Sequence, residues 1–397
     1  MKALITVLLL LKALCLTSSF NDLLPAAFPF KDGYIGGDDV YSIQLGEGRF
    51  VWLYGDTFWN HQAWNKTREY SSYGMPSNTV GITSISSSGK EVSFQYYRGN
   101  GVKPFGVFNY APDEMTGLSA SQREALRIWP KDGQMVNGKL WVSLLLIVES
   151  KNMFDSLGID YALVRNPQQN PNVWEVDYFQ TLRSRKIFPA TAMHTHTDGH
   201  LYSLTTIILD ELSTIQRFVI FRYPNAAIGE APQYLAQDGA WKELPVDKDT
   251  LIVVDECAVI KDMAVLSPHG NTEASLHFDE RSAAWVIISG QGTFLDPVIA
   301  LMASKKIEGP WSEPLTLVDG YPENDLESDE YIKGAFCYAG KGHPLISKEY
   351  YVDAMPITYA CNSFDMQQLL DDNRIYQPKT IVIEGWDSKV KEALSSV

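Results

Sequence analysis

Residues 36–60 read GGDDVYSIQLGEGRFVWLYGDTFWN. Two apolar-rich runs, 40–45 and 50–54, flank Gly46-Glu47-Gly48-Arg49, the composition of a tight β-hairpin turn. A turn centred on Glu47 makes the numbers of facing residues sum to 94, which puts Asp38 opposite Asp56. Directly opposed side chains of an antiparallel pair have Cβ atoms about 4.5–5.5 Å apart, and like charges there repel. Two carboxylates so placed share a proton, bind a cation, or divide acid and base roles. The alternative has Asp38 capping a turn and Asp56 ending a strand, both solvated; a one-residue slip would turn one of them to the other face.

The hairpin is the first of several similar units. A turn followed by an aromatic-bearing strand recurs at Asn137-Gly138-Lys139-Leu140-Trp141, at Asp198-Gly199-His200-Leu201-Tyr202, at Asp279-Glu280-Arg281 before Trp285, and at Ser347-Lys348-Glu349 before Tyr350 and Tyr351. Three units carry a later Trp, at Trp174, Trp241 and Trp311, expected on outer strands and packed between units. Repeats of about four short strands predict an all-β fold, a five-bladed β-propeller of four-stranded antiparallel blades. Residues 20–397 are expected to form that single domain. Short helices are expected near residues 119–126 and at 387–394, with Asp387 as N-cap of the latter. Residues 379–384, KTIVIE, read as a last strand that closes the ring near the N-terminal segment.

Residues 1–19, with a basic start, an apolar stretch and small residues at Thr17 and Ser19, suit a secretory signal, so the chain is expected outside the cell or in the periplasm. That apolar run is too short to span a membrane, which takes around 20 residues. The formal charge of −15 becomes more negative once Lys2 and Lys12 leave with the signal, which argues against a nucleic-acid partner. Of the three remaining cysteines, Cys337 with Cys361 is the expected disulfide if one forms, leaving Cys257. Asn65-Lys66-Thr67 matches a glycosylation acceptor.

In a propeller the inner strands line a central cavity, and polar residues near their ends converge at one face. The units offer Asp38 and Asp39, then Asp132, then His194 and His196, then Glu273, then His343. Such convergence suits acid and base work or a metal. His194 and His196 stand two apart, so on a strand they share a face and could reach one metal; substrate hydrogen bonding or packing is the simpler reading, and no metal or other cofactor is expected. Asp132, in Pro130-Lys131-Asp132-Gly133, also reads as a turn former, and Glu273 as a loop residue. Tyr41, Phe58, Trp59 and Trp64 offer stacking surfaces for sugar rings, against the plainer reading that aromatics fill the gaps between blades. No nucleophile elbow, Walker A or dinucleotide fingerprint occurs in the sequence.

The pattern D-x-x-Y-S followed by G-R-x-x-W-L-x-G-D-T-F, at 38–42 and 48–58, resembles secreted five-bladed propellers long catalogued as a domain of unknown function, some of which are endo-D-arabinanases. Further matches are Ser77-Asn78-Thr79, WPKDGQMVNGKLW at 129–141, 272–275, and YAGKGHP at 338–344. The resemblance implies a glycoside hydrolase with paired acidic residues and places Asp38 and Asp56 at the matching positions. The expectation is an endo-acting hydrolase of a furanose-containing polysaccharide such as D-arabinan, working as a monomer. Asp38, Asp56 and Glu273 would be catalytic, and Asp39, Tyr41, Asn78, Asp132, His194, His196 and His343 would bind substrate. Whether the anomeric centre is retained or inverted stays open. The alternatives are a non-catalytic propeller that binds glycan or protein, and a metal-dependent hydrolase centred on His194 and His196.

Overall fold

The structure, a computed structural model, describes residues 28–59, 75–86, 92–99, 106–109, 115–150, 153–209, 216–293 and 296–397. The signal at 1–19, Trp64 and the acceptor at 65–67 lie outside them.

The first hairpin forms with the expected register. Strands Tyr41–Gly46 and Arg49–Tyr54 pair Tyr41 with Leu53, Ser42 with Trp52, Ile43 with Val51 and Gln44 with Phe50, each sum being 94. Gly48 sits in the turn at φ +65°, where an added Cβ would lie 2.4 Å from the Ile85 carbonyl oxygen, so glycine is required. Beyond the strands the pairing continues: the Asp38 N–H donates to the Asp56 carbonyl and the Gly55 N–H to that of Asp38, both at 2.9 Å. Asp38 and Asp56 do oppose each other.

Five antiparallel sheets stand around one axis as propeller blades. Blade I adds Thr79–Ile85 and Val92–Tyr97 to the hairpin. Blade II runs outward from Leu126–Val136 to Val176–Arg183, and blade IV from Ala274–Asp279 to Leu315–Asp319. Blade III begins at Ile187–Thr195 and gains a fifth short strand, Trp241–Glu243, while blade V shows three strands, from Ala335–Gly342 to Lys379–Glu384. Among the described residues, Lys379–Glu384 pairs with Ala354–Ser363 alone. The N-terminal segment meets blade V instead where Gln377 Nε2 donates to the Phe28 carbonyl at 3.1 Å.

Alternation explains where the core lies. Along Tyr41–Gly46, Tyr41, Ile43 and Leu45 are buried, and they pack with Leu140, Val142 and Leu144 of blade II. Equivalent apolar layers fill each seam around the ring, and burial of such side chains contributes about 1.5–3 kcal/mol each. Trp174, Trp241 and Trp311 pack into these layers as expected, but of the three only Trp241 lies in a strand; Trp174 and Trp311 stand in the connections just before Val176–Arg183 and Leu315–Asp319.

A polar stitch crosses each seam near the axis. Asn78 donates to the carbonyls of Phe108 and Ile128, joining blade I to II. Asp132 accepts from the Met193 N–H at 2.7 Å, joining II to III. Thr206 Oγ1 donates to the Asn271 carbonyl at 2.5 Å, and Ser275 Oγ accepts from the Gly342 N–H at 3.0 Å. Ser42 Oγ meets His343 Nδ1 at 2.6 Å and closes the ring from V to I.

Two local expectations are corrected. Ser347-Lys348-Glu349 is no hairpin turn but part of helix Pro344–Tyr350, for which Pro344 supplies a pre-set first turn. The last helix is Trp386–Leu394 with Gly385 as N-cap, because Asp387 already lies in the first turn. The first helix expected near residues 119–126 forms as Ala120–Glu124, closed at its start by a Ser119–Gln122 capping box, and Leu126 already opens a strand.

Candidate active site

Asp38, Asp39 and Glu273 stand just before their inner strands, whereas Lys131, Tyr338 and Lys341 lie within theirs, at or beside breaks in the strand register. Bulges fall between Pro130 and Gly133 in blade II, Phe188 and Ala192 in blade III, and Tyr338 and Lys341 in blade V. Such insertions re-aim side chains and are frequent beside active sites. Ala190 and Ala339, at φ +57° and +59°, together with Asp39 at +52°, hold a backbone shape that non-glycine residues rarely adopt. The strain sits where Lys131, Tyr338 and Lys341 are turned toward blade I.

Asp38 accepts from the Tyr338 hydroxyl at 2.5 Å and from the Asp39 N–H at 2.8 Å. Burial pushes its carboxyl up to about 6, against the lowering pull of the Tyr338 hydrogen bond, and the nearby charge of Glu273 adds to the rise. Asp39 pairs with Lys341 and, at 3.5 Å, with Lys131, which in turn donates to Glu273 at 2.7 Å. The Thr272 hydroxyl donates to the other Glu273 oxygen at 2.7 Å. Beneath them lies Tyr41, buried, with the Lys341 ammonium 4.2 Å from its ring centre. Burial drives the Lys341 ammonium well below its ordinary range while the charge of Asp38 opposes that shift. Side chains from blades I, II, IV and V thus form one network: Asp38 and Asp39, Lys131, Glu273, and Tyr338 with Lys341.

Asp56 lies to one side of it. Its carboxylate meets Arg127 at 3.3 Å, and burial raises it to about 7 against the pull of Arg127. Tyr338 belongs to blade V and Arg127 to blade II, so the two opposed aspartates engage neighbours on opposite sides of blade I. A cavity of about 470 Å³ opens beside the network between blades II and III, lined by Lys131 and Glu273 with Trp129, Phe188, Arg185 and Gln216. Among the described residues the buried Gln216 Oε1 and Ser156 Oγ have no hydrogen-bond partner there.

Residues 23–386 match the model of a family described as a domain of unknown function, DUF5005. The chain belongs to the DUF5005 family. Among solved structures, this DUF5005 chain is similar to a candidate hydrolase from Bacteroides ovatus, at 15% identity and a TM-score of 0.64, covering 92% of this chain and 90% of that one. At that identity the likeness shows the fold. An α-L-arabinanase mutant from Cellvibrio cellulosa is similar at 10% identity and a TM-score of 0.45, with 91% and 98% of the two chains covered. An exo-β-1,3-galactanase from Phanerochaete chrysosporium is similar at 11% and 0.44, over 88% and 63%. Scores this low carry no argument. No curated protein matches the chain. Among the described residues of this family member, no helix is long and apolar enough to cross a membrane.

The remaining residues singled out from the sequence lie elsewhere in the DUF5005 chain. Asn78, Asp132 and His343 make the seam bonds described above; burial raises the Asp132 carboxyl to about 7, opposed by its two backbone donors, and lowers His343 to about 3. His194 and His196 sit toward the opposite mouth of the axis, where both pack against Trp285, at 5.3 and 4.8 Å between ring centres. A second cavity of about 460 Å³ reaches that mouth, with His194, His277 and His343 in its wall. Phe58 and Trp59, expected to stack on sugars, are buried, Phe58 against Tyr376 and Trp59 in the blade I core; strand pairing of Thr57–Trp59 with Tyr34–Gly37 draws them inward. Sequence reading missed Lys131, Lys341, Tyr338 and Arg127. Their signal was present: two lysines inside the quoted stretches 129–141 and 338–344, in strands otherwise suited to burial.

Cys337 and Cys361 form the expected disulfide, as a directly opposed pair in blade V, and Cys257 is free and exposed.

Proposed function

We propose that this protein is a secreted glycoside hydrolase of a furanose-containing polysaccharide, with D-arabinan the leading candidate, and that Asp38 and Glu273 are its acid–base pair. The observation that carries the reading is the shared network at the inner-strand ends: Glu273 from blade IV is tied through Lys131 to Asp39, next to Asp38 from blade I. Asp38 is raised toward neutrality, partly by the charge of Glu273, and Glu273 is paired with a lysine. Neighbouring carboxyls whose environments differ in this way divide into a proton holder and an anion, which glycoside cleavage needs. The sequence pairing of Asp38 with Asp56 gives way here to Asp38 with Glu273, since Asp56 is engaged by Arg127 and Glu273 lines the open cavity. Asp56 then acts as a positioning residue for the hairpin and for Arg127.

Asp39, Lys131 and Lys341 would fix the network, and the cavity between blades II and III would take one arm of the glycan against Trp129 and Phe188. Reducing-end release from arabinans, galactans and xylans tests the proposal. Release from an arabinan, with internal cuts seen as a rapid fall in polymer size, supports it. Release from none of the three, by protein folded by near-ultraviolet circular dichroism, counts against it and favours a glycan-binding propeller.

A further inference from the structure

On the same face as Asp38, blade V carries an aromatic row. Phe336 and Tyr338 are two apart on strand Ala335–Gly342 and therefore share a face, while Cys337 between them is buried in the disulfide. The Phe336 ring stacks on Tyr338 at 5.7 Å between centres and 29° between planes, and on Phe364 at 4.6 Å and 28°. The row begins at the Asp38 carboxylate, through the Tyr338 hydroxyl, and ends at Phe364, which is 78% exposed. Asn362 donates to the Tyr338 oxygen at 3.1 Å and fixes that ring. Phe364 is held by its surroundings too: Asp365 caps helix Met366–Asp371, and the Ser363 hydroxyl meets Gln368 at 2.7 Å.

An exposed phenylalanine on a capped turn, stacked in a row that starts at a partly buried carboxylate, calls for a ligand with flat apolar faces. A sugar ring offers a C–H face to an aromatic plane and hydroxyls to Asn362 and Tyr338. We infer that the free face of Phe364, backed by the stacked Phe336 ring, is a sugar-stacking platform that carries the glycan outward over blade V, on the far side of the network from the cavity between blades II and III. The inference rests on the glycan-hydrolase reading for the position of the cut, and it adds where one arm of the polymer lies. A chain held on both sides of Asp38 is cut internally.

Phe364→Ala, Phe364→Trp and wild type are compared in two assays. The first is affinity electrophoresis through gels containing arabinan, galactan or xylan, which reads binding without turnover. Wild type and Phe364→Trp are expected to be retarded in one gel, with Phe364→Ala weakened roughly two- to ten-fold. The second is hydrolysis of a polymer and of a short aryl glycoside: KM for the polymer rises by the same factor in Phe364→Ala, while kcat and the aryl glycoside constants hold. Retardation without hydrolysis in wild type would sink the hydrolase reading and leave the platform standing. No retardation of wild type in any gel, or equal retardation of Phe364→Ala, would overturn the platform. A concentration-dependent dimer in ultracentrifugation that Phe364→Ala abolishes would overturn it as well, by assigning the row to a second copy of the chain.

Discussion

The two mouths of the central axis both collect titratable residues, and burial affects them in opposite senses. At one mouth it raises carboxyls toward neutrality, Asp38 to about 6 and Asp56 to about 7. Toward the other it lowers the imidazoles of His194 and His277, each to about 3, so they are neutral wherever proteins ordinarily work. The rule is the same in both places: removal from water disfavours the charged form. Its outcome depends on the residue type, bringing an acid into its working range and taking a histidine out of it. The lysines mark the contrast, because Lys131 and Lys341 are built among the carboxylates, whereas the histidines meet Trp285, Phe278 and Trp386.

The largest effects are expected at the carboxylate mouth. Asp38→Asn and Glu273→Gln should each lower kcat/KM on the polymer by about 10²–10⁴. The variant lacking the acid should recover on an activated aryl glycoside, whose leaving group needs no proton, and the variant lacking the anion should not. Equal recovery in both would break the division of roles.

Next in size is Lys341→Met. Lys341 is nearly inaccessible and pairs with the partly buried Asp39, so its loss strips that carboxylate of one cation. Removing one partner of a buried pair costs about 3–5 kcal/mol. Lys131 still faces Asp39 at 3.5 Å, which sets the expectation at the lower end. Urea unfolding measures it, and an unchanged midpoint would deny the pair its structural role.

A smaller effect follows from Asp56. In the fold it keeps its proton up to about pH 7, against 3.8 ordinarily, so the stability tied to the protonated form is complete below pH 4 and is lost as pH rises through 7. Asp56→Asn stays neutral throughout. Its melting temperature relative to wild type should therefore be higher at pH 8 than at pH 4, and a difference independent of pH would contradict the burial argument.

The first hairpin and its register were legible because turn composition and alternation are local, and a pairing sum follows from one turn. The propeller followed from repetition of the unit. The Lys131–Glu273 and Tyr338–Asp38 contacts were not legible, since each joins blades far apart in sequence through bulges that no local pattern announces. Asp132 and His343 were picked for being polar near strand ends and Asn78 from the family resemblance; the seams between blades need such groups as much as a site does.

The smallest effect is expected at the histidine mouth. His194→Asn should shift stability by about 1 kcal/mol and leave kcat/KM and its pH profile unchanged. A lost or displaced profile would move the chemistry to that end of the axis.

Reducing-end release from arabinan by wild type, Asp38→Asn, Glu273→Gln and His194→Asn, each shown to be folded, tests the contrast between the mouths most directly. Release by wild type and His194→Asn, with loss in both carboxylate variants, is the predicted result. Release that survives in folded Asp38→Asn or Glu273→Gln, or that fails in His194→Asn, would contradict the account.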